Sequence, residues 1–330
     1  MKRELKDSHG RVLTYLRLSV TDRCNLRCFY CMPQSRFNWI PHDEVLSYEE
    51  IISLLKVLTS LGIKKVRLTG GEPLVRRDIL ALVQEIIAIP GLEKLCITTN
   101  GTLLPELADD LYRLGLRHLN ISLDSLDSEL FAKLSGKDQF HRVWQGIRRC
   151  IELGFHPLKL NAVMLKGRNE SEIPKLAGLV LKYPVQMRFI EFMPIGKESP
   201  WNSSLFFSSD EARTLIEKEL GPLVPSASHS RGPAEIFHVE GGLGSIGFIN
   251  PMSHNFCSTC NRIRITSDGK MRLCLFSDSE IDLKSMLRAG AGENELADFI
   301  LDAVQQKPEG YAKIENERPS CTRDMSSIGG

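Results

Sequence analysis

TYLRLSVTDRCNLRCFYC, residues 14–31, alternates apolar and polar side chains over residues 14–21 and then delivers three cysteines, Cys24, Cys28 and Cys31. A period of two marks a half-buried strand, so a first strand is expected to end in a thiol-bearing loop. LSYEEIISLLKVLTSLG (46–62) switches to the helical period, with Ser47 as N-cap, Glu50 three residues on and Gly62 placed to stop the helix. Both patterns then recur: KKVRLT (64–69), KLCITT (94–99), HLNISL (118–123), LKLNAVML (158–165) and VQMRFIEF (185–192) read as strands, with helical patterns between them. Strands this far apart cannot form hairpins and must run parallel with right-handed crossovers. The expected fold is α/β, an incomplete (β/α)6 barrel of the TIM type over residues 1–200.

Around Ile195 the pattern changes. GKESPWNSS (196–204) is a polar connector, a helix follows at about 210–220, and PLVPSASHSRGP (222–233) is rich in Pro and Ser. Short strands follow at AEIFHVE (234–240), LGSIGFI (243–249), RIRITS (262–267) and KMRLCLF (270–276), with helices at about 281–289 and 293–305. Asp268-Gly269 joins the last two strands with a strong hairpin signal. A smaller α+β domain is therefore expected over residues 201–330.

The chain has 330 residues, of which 42% are hydrophobic and 25% charged, an ordinary globular balance with length for two domains. Its 42 basic and 41 acidic residues leave a net charge of +1, which supplies no global field for nucleic acid. The best apolar run, 51–58, is broken by Lys56, so no membrane span is expected. The charged first residues lack an apolar signal segment, and a cytoplasmic address is expected. In a reducing compartment an odd count of nine cysteines argues against a disulfide framework. Cys96 and Cys150 lie in apolar runs as small hydrophobes, and Cys321 stands alone.

The other six cysteines form two groups of three. Cys24, Cys28 and Cys31, spaced C-x-x-x-C-x-x-C, follow the first strand at the face where barrels place their chemistry. Zinc would want a closed tetrahedron, and no His or Cys stands nearby to complete one; a [4Fe-4S] cube held by three thiolates keeps one iron open for a small molecule. The motif by itself also fits a zinc loop or three packed thiols. Cys257 and Cys260 are joined across the hairpin by Cys274. A redox C-x-x-C would open a helix, whereas this one precedes a strand; structural zinc is the other reading, and three thiolates again favour a cube with an open iron. Gly242 to Gly247 fits G-x-G-x-x-G, but FINP follows in place of a helix, so no dinucleotide site is expected. Eight scattered histidines support neither a metal site nor hydrolysis.

With Tyr30 between the last two cysteines of the first group and TGGEP (69–73) after the second strand, the chain resembles the radical S-adenosylmethionine (SAM) superfamily. The resemblance implies that SAM chelates the open iron of the first cluster and is cleaved to a 5′-deoxyadenosyl radical. It also implies that Tyr30, Gly71, Ser122 and Met193 line SAM. LRLSVTDRCNLRCFYCMP, VRLTGGEPLVRRD, TTNG, NISLDSLD, RFIEFMP, FCSTCNRIR and Gly329-Gly330 extend the match over nearly the whole length. In them the chain resembles the GTP 3′,8-cyclase family of molybdenum cofactor biosynthesis.

That resemblance implies an incomplete barrel closed by a C-terminal domain with a second [4Fe-4S] cluster, whose open iron meets the guanine of GTP. GTP becomes 3′,8-cyclo-7,8-dihydro-GTP, which passes to cyclic pyranopterin monophosphate synthase; a flavodoxin or ferredoxin supplies electrons, and the enzyme is a monomer or homodimer. The GTP contacts implied are Arg17, Arg67, Thr98, Lys159, Arg262 and Arg264, with Arg17 the candidate proton donor and the two tail glycines inserted into the barrel. The residues agree: charges pointing into a barrel are costly unless a polyanion pairs them, and Arg262 and Arg264 share one strand face. A peptide substrate for the same radical chemistry would go with more C-terminal cysteines than these three. A zinc-holding binding module is the alternative outside enzymes, and metal analysis separates it.

Overall fold

The structure is a computed structural model that describes residues 3–32, 39–226, 232–311 and 321–329. Six strands carry the βα repeat: β1 (Tyr15–Ser19), β2 (Lys65–Thr69), β3 (Lys94–Thr99), β4 (His118–Ser122), β5 (Leu158–Met164) and β6 (Val185–Glu191). They pair in that order, all parallel. The crossovers run through α1 (Tyr48–Ser60), α2 (Ile79–Ile87), α3 (Leu104–Arg113), α4 (Ser128–Ser135) with α5 (Phe140–Leu153), and α6 (Ile173–Ala177) with α7 (Leu179–Lys182). The start of α1 is the expected capping box: Ser47 Oγ accepts from Glu50 N–H, and the Glu50 carboxylate accepts from Ser47 N–H at 2.7 Å. Such a cap stabilises a helix by about 1 kcal/mol.

After β6 come α8 (Ser209–Leu220), β7 (Val224–Pro225), β8 (Glu235–His238), β9 (Ser245–Ile249), β10 (Arg262–Ile265), β11 (Lys270–Arg272) and β12 (Ile281–Asp282). Then follow α9 (Leu283–Arg288), α10 (Glu293–Val304) and α11 (Met325–Ile328). These later strands build no sheet of their own. The order β12-β11-β10-β1-β2-β3-β4-β5-β6-β9-β8-β7 is one continuous sheet. β10 lies parallel to β1 and β9 parallel to β6, so eight neighbouring strands run the same way and hairpins occupy only the margins. The edges of β1 and β6, which would otherwise present rows of open backbone groups, are thereby paired.

Alternation sorts the two faces of this sheet. Leu16, Leu18, Val66, Leu68, Ile97, Leu119, Ile121, Leu160 and Met187 are buried against the helices, where Leu54, Leu58, Leu82 and Ile86 meet them. Cys150 belongs to that core, as expected. Cys96 does not: with Leu95 and Ile97 turned to the helices, the period of two sends its buried thiol to the opposite face, between Arg67 and His118 in register. Among the described residues no helix is long and apolar enough to cross a membrane.

The segment after residue 320 docks despite its polar composition. Ile195 and Cys321 form a parallel bridge, Gly196 N–H donates to the Cys321 carbonyl at 2.9 Å, and Ile328 is fully buried. Arg323 grips Asp268, in the turn between β10 and β11, with two hydrogen bonds of 3.0 and 2.8 Å.

Candidate active site

Cys24, Cys28 and Cys31 are free thiols in the loop after β1, as expected. The N–H groups of Cys31 and Met32 both donate to the Cys28 carbonyl, which turns the loop back on itself. Burial pushes the Cys31 thiol up to about 12 and raises the Cys28 thiol as well, and the neighbouring thiols and Asp124 add to both. Thiols that repel one another as anions and are clustered in one loop form a donor set that only a metal's charge would deprotonate. Among the described residues no three His, Cys, Asp or Glu converge on a single ion. A cube binds one thiolate per iron, so its ligands need not meet at a point. The set fits an iron–sulfur cube.

At Gly70 and Gly71 the chain's own backbone leaves no room for a side chain. A Cβ on Gly71 would lie 2.4 Å from the Arg23 carbonyl oxygen, and one on Gly70 2.3 Å from that of Thr21. The segment pairs with the chain's own thiol loop: Gly71 N–H donates to Thr21 and Glu72 N–H to Arg23, each at 2.8 Å. Glu72, almost wholly buried, accepts from Leu74 N–H, Thr99 Oγ1 and Asn100 N–H. Burial raises its carboxyl to about 7 against those three bonds. Asn100 in turn donates to Asn25 at 2.8 Å and lies 3.7 Å from the Cys24 sulfur. The ends of β2 and β3 thus hold the first thiol in place.

Tyr30 donates to Asp124 at 2.5 Å, while the second oxygen of Asp124 accepts from Val163 N–H; burial raises that carboxyl to about 6. Ser122 ends β4 opposite Asn161, and Met193 follows β6 among Ile195, Cys321 and Ile328. All four residues expected along SAM lie at the C-terminal end of the strands.

The inner face of the eight parallel strands is cationic. In register across it stand Arg264, Arg17 and Arg67, then Lys159 beyond Asn120, and Arg188 beside Asn161. Arg262 and Lys65 lie one step away beside Tyr15. No residue at these inward positions is acidic. Arg67 donates to Tyr15 Oη at 2.6 Å and to Thr98 Oγ1 at 3.2 Å. Burial, followed by Arg188, Arg67 and Lys65, pushes Lys159 down to about 7. Burial and Arg67 bring Arg188 to about 10, and burial with Arg67 and Arg262 brings Arg17 to about 10. Tyr15 would be raised by burial, yet Arg67, Arg17 and Lys65 draw it down to about 8. Lys65 and Arg188 were not among the expected contacts, although their strand parity with Arg67 and Lys159 was readable.

Arg264 donates to the carbonyl of Gly329 at 2.5 Å. Gly329 has φ of +77°, and a Cβ there would meet Thr69 Oγ1 at 2.1 Å, so the tail enters the barrel where only glycine fits. Gly330 lies outside the described residues.

Cys257, Cys260 and Cys274 are free and half-buried. β10 runs parallel to β1 and β11 returns antiparallel, so thiols just before β10 and just after β11 lie at the strand end opposite Cys24. The five residues of β1 separate the two ends by about 17 Å. Burial would raise the Cys260 thiol, but the positive charges of Lys307 and Arg262 hold it below its usual value. A set of three thiols fits a second cube with an open iron.

Residues 18–180 match the Radical SAM superfamily and residues 185–313 match Molybdenum Cofactor Synthesis C. The class defined by the parallel sheet and its first thiol loop is therefore the radical SAM enzymes. The crystal structure of Streptococcus suis SuiB bound to S-adenosylmethionine has the same fold at 15% identity and a TM-score of 0.62, covering 97% of this chain and 78% of that one. The GTP 3′,8-cyclase of Thermodesulfovibrio yellowstonii is 45% identical over 99% of this chain and 100% of its own length. That of Pelotomaculum thermopropionicum is 42% identical with the same coverage. The chain belongs to the GTP 3′,8-cyclase family.

Proposed function

We propose that this protein converts GTP to 3′,8-cyclo-7,8-dihydro-GTP, the first step of molybdenum cofactor biosynthesis. Cys24, Cys28 and Cys31 hold one [4Fe-4S] cluster and Cys257, Cys260 and Cys274 a second. Tyr30, Gly71, Ser122 and Met193 surround SAM. When bound, SAM and the first cluster supply a 5′-deoxyadenosyl radical able to take the ribose 3′ hydrogen, chemistry no side chain provides.

What the chain itself contributes is placement. The triphosphate lies along Arg17, Lys65, Arg67, Lys159, Arg188, Arg262 and Arg264, with Thr98 beside it, and its charge relieves a repulsion that those side chains otherwise bear. Holding ribose C3′ and guanine C8 in reach replaces an improbable encounter, and a closed interior keeps water from a reactive carbon. Arg17 is the candidate to donate the proton or stabilise the developing charge, a reading supported by its position between Arg67 and Arg264 in register. On this reading residues 1–200 bind SAM, while residues 201–330 bring the second cluster and close the substrate site. Electrons come from a flavodoxin or ferredoxin, and cyclic pyranopterin monophosphate synthase takes the product in the cytoplasm.

The observation that carries this reading is an acid-free cationic strand face set between two thiol triads. Anaerobic incubation with SAM, reductant and GTP should consume GTP and form 5′-deoxyadenosine together. SAM cleavage with GTP untouched would favour a peptide substrate, and zinc in place of about eight irons per chain would exclude the reading.

A further inference from the structure

Lys307 is 3% exposed. Its ammonium donates to two main-chain carbonyls, that of Arg262 at 2.9 Å and that of Leu273. Arg262 is two residues beyond Cys260, and Leu273 immediately precedes Cys274. Among the described residues Lys307 has no carboxylate partner. The neighbouring Arg11 differs. It also reaches the second triad's backbone, donating to the Cys257 and Glu309 carbonyls at 2.8 Å, but its charge is matched by buried Asp7 at 2.6 Å. A buried ammonium satisfied only by neutral carbonyls is costly unless an anion stands close by. Burial, with the nearby charges of Arg11 and Arg262, lowers the pKa of Lys307; the anions available to oppose that are the thiolates of Cys260 and Cys274, each of which favours its charged form.

We propose that Lys307 is the counter-charge of the second cluster: held on the main chain beside Cys260 and Cys274, it stabilises the reduced form and raises the cluster's reduction potential. The proposal rests on Cys257, Cys260 and Cys274 being the ligands. With three thiolates the oxidised cluster is already anionic and its one-electron reduction adds a further negative charge, so a fixed buried cation favours the reduced side. The first triad has the opposite surroundings. Its raised thiols face Glu72 at Cys24 and Asp124 at Cys28 and Cys31. Lys307 should therefore act on one cluster and leave the other as an internal reference.

The experiment is an anaerobic redox titration of the full-length protein with both clusters loaded, followed by electron paramagnetic resonance, in which the signal that responds to SAM marks the first cluster. Lys307→Gln keeps N–H donors for the carbonyls but removes the charge, and Lys307→Arg keeps the charge. The Gln protein should show a lower midpoint for the SAM-insensitive couple and an unmoved SAM-responsive one, while the Arg protein stays near the parent on both. Loss of the second cluster from the Gln protein alone, with the Arg protein retaining it at the parent potential, would support the same role for charge. An unchanged midpoint in a fully loaded Gln protein, equal shifts in both couples, or loss of the second cluster from both variants would overturn the proposal and leave Lys307 a strut between two carbonyls. About four irons per chain in the parent protein would overturn the ligand assignment itself and the proposal with it, a failure that iron analysis distinguishes before any potential is measured.

Discussion

Lys159 carries a pH dependence that ties the cationic face to its ligand. Burial, then Arg188, Arg67 and Lys65, hold it near 7 in the free protein, whereas a bound triphosphate would favour its charged form and raise that value. A group raised on binding gives affinity that is complete below its free value and is lost as pH climbs toward its bound one. GTP affinity should accordingly decline above about pH 7, with proton uptake at pH 8 visible by calorimetry in two buffers of different ionisation heat. Lys159→Met should abolish the uptake, and an uptake of zero in the parent protein would refute the assignment. Arg262→Ala should weaken GTP binding by about 1.5 to 3 kcal/mol in equilibrium dialysis, the magnitude of a charge-assisted hydrogen bond. The grouping of the thiols and the strand positions of these cations were legible because spacing and strand parity are local properties, whereas their assignment to GTP came from the family resemblance. Glu72 was not legible, because its chemistry depends on Asn100, which lies 28 positions away.

At the scale of elements the loop after β2 is a clamp for the loop after β1, and its glycines are required by contact with backbone. Gly71→Ala puts a methyl 2.4 Å from a carbonyl oxygen that has no rotamer through which to retreat. The two loops must separate, so the protein should retain its second cluster and lose the first, with iron falling by about half and SAM cleavage abolished. Replacing Cys257 should do the reverse, preserving uncoupled SAM cleavage while GTP is no longer cyclised; equal loss of cleavage from both triads would contradict that division. Local grammar gave β1 to β6 and α1 to within a few residues, since alternation and the Ser47 cap need no distant partner, but it missed β7 in the Pro- and Ser-rich connector and β12 in an expected helix. The start of α8 was placed one residue late, although Ser208 and Glu211 form a capping box that the sequence displays.

On the scale of the whole molecule, the pairing of β10 with β1 sets Arg17 beside Arg264, 247 positions apart, and no periodicity within either strand announces it. That the later strands extend the first sheet is not written in their local pattern, because edge strands are completed by whichever partner folding brings, not by the nearest one in the chain. The same pairing brings the tail to the inner face of the sheet: Arg323 locks to the β10–β11 turn, Ile328 is buried, and the Gly329 carbonyl receives Arg264. A tail held this way positions the guanidinium that would otherwise swing within a crowd of like charges. Gly329→Ala adds a methyl 2.1 Å from Thr69 Oγ1 at a left-handed φ of +77°, so docking of the tail should fail while the sheet and both iron clusters remain. Its effect on GTP affinity should then match part of that of Arg264→Ala, and the double variant should lose less than the two singles summed, because both act through one bond. Measured by equilibrium dialysis on anaerobically loaded proteins, strict additivity would separate the tail from Arg264, and full cyclisation of GTP by Gly329→Ala would return the last turn to an ordinary surface terminus.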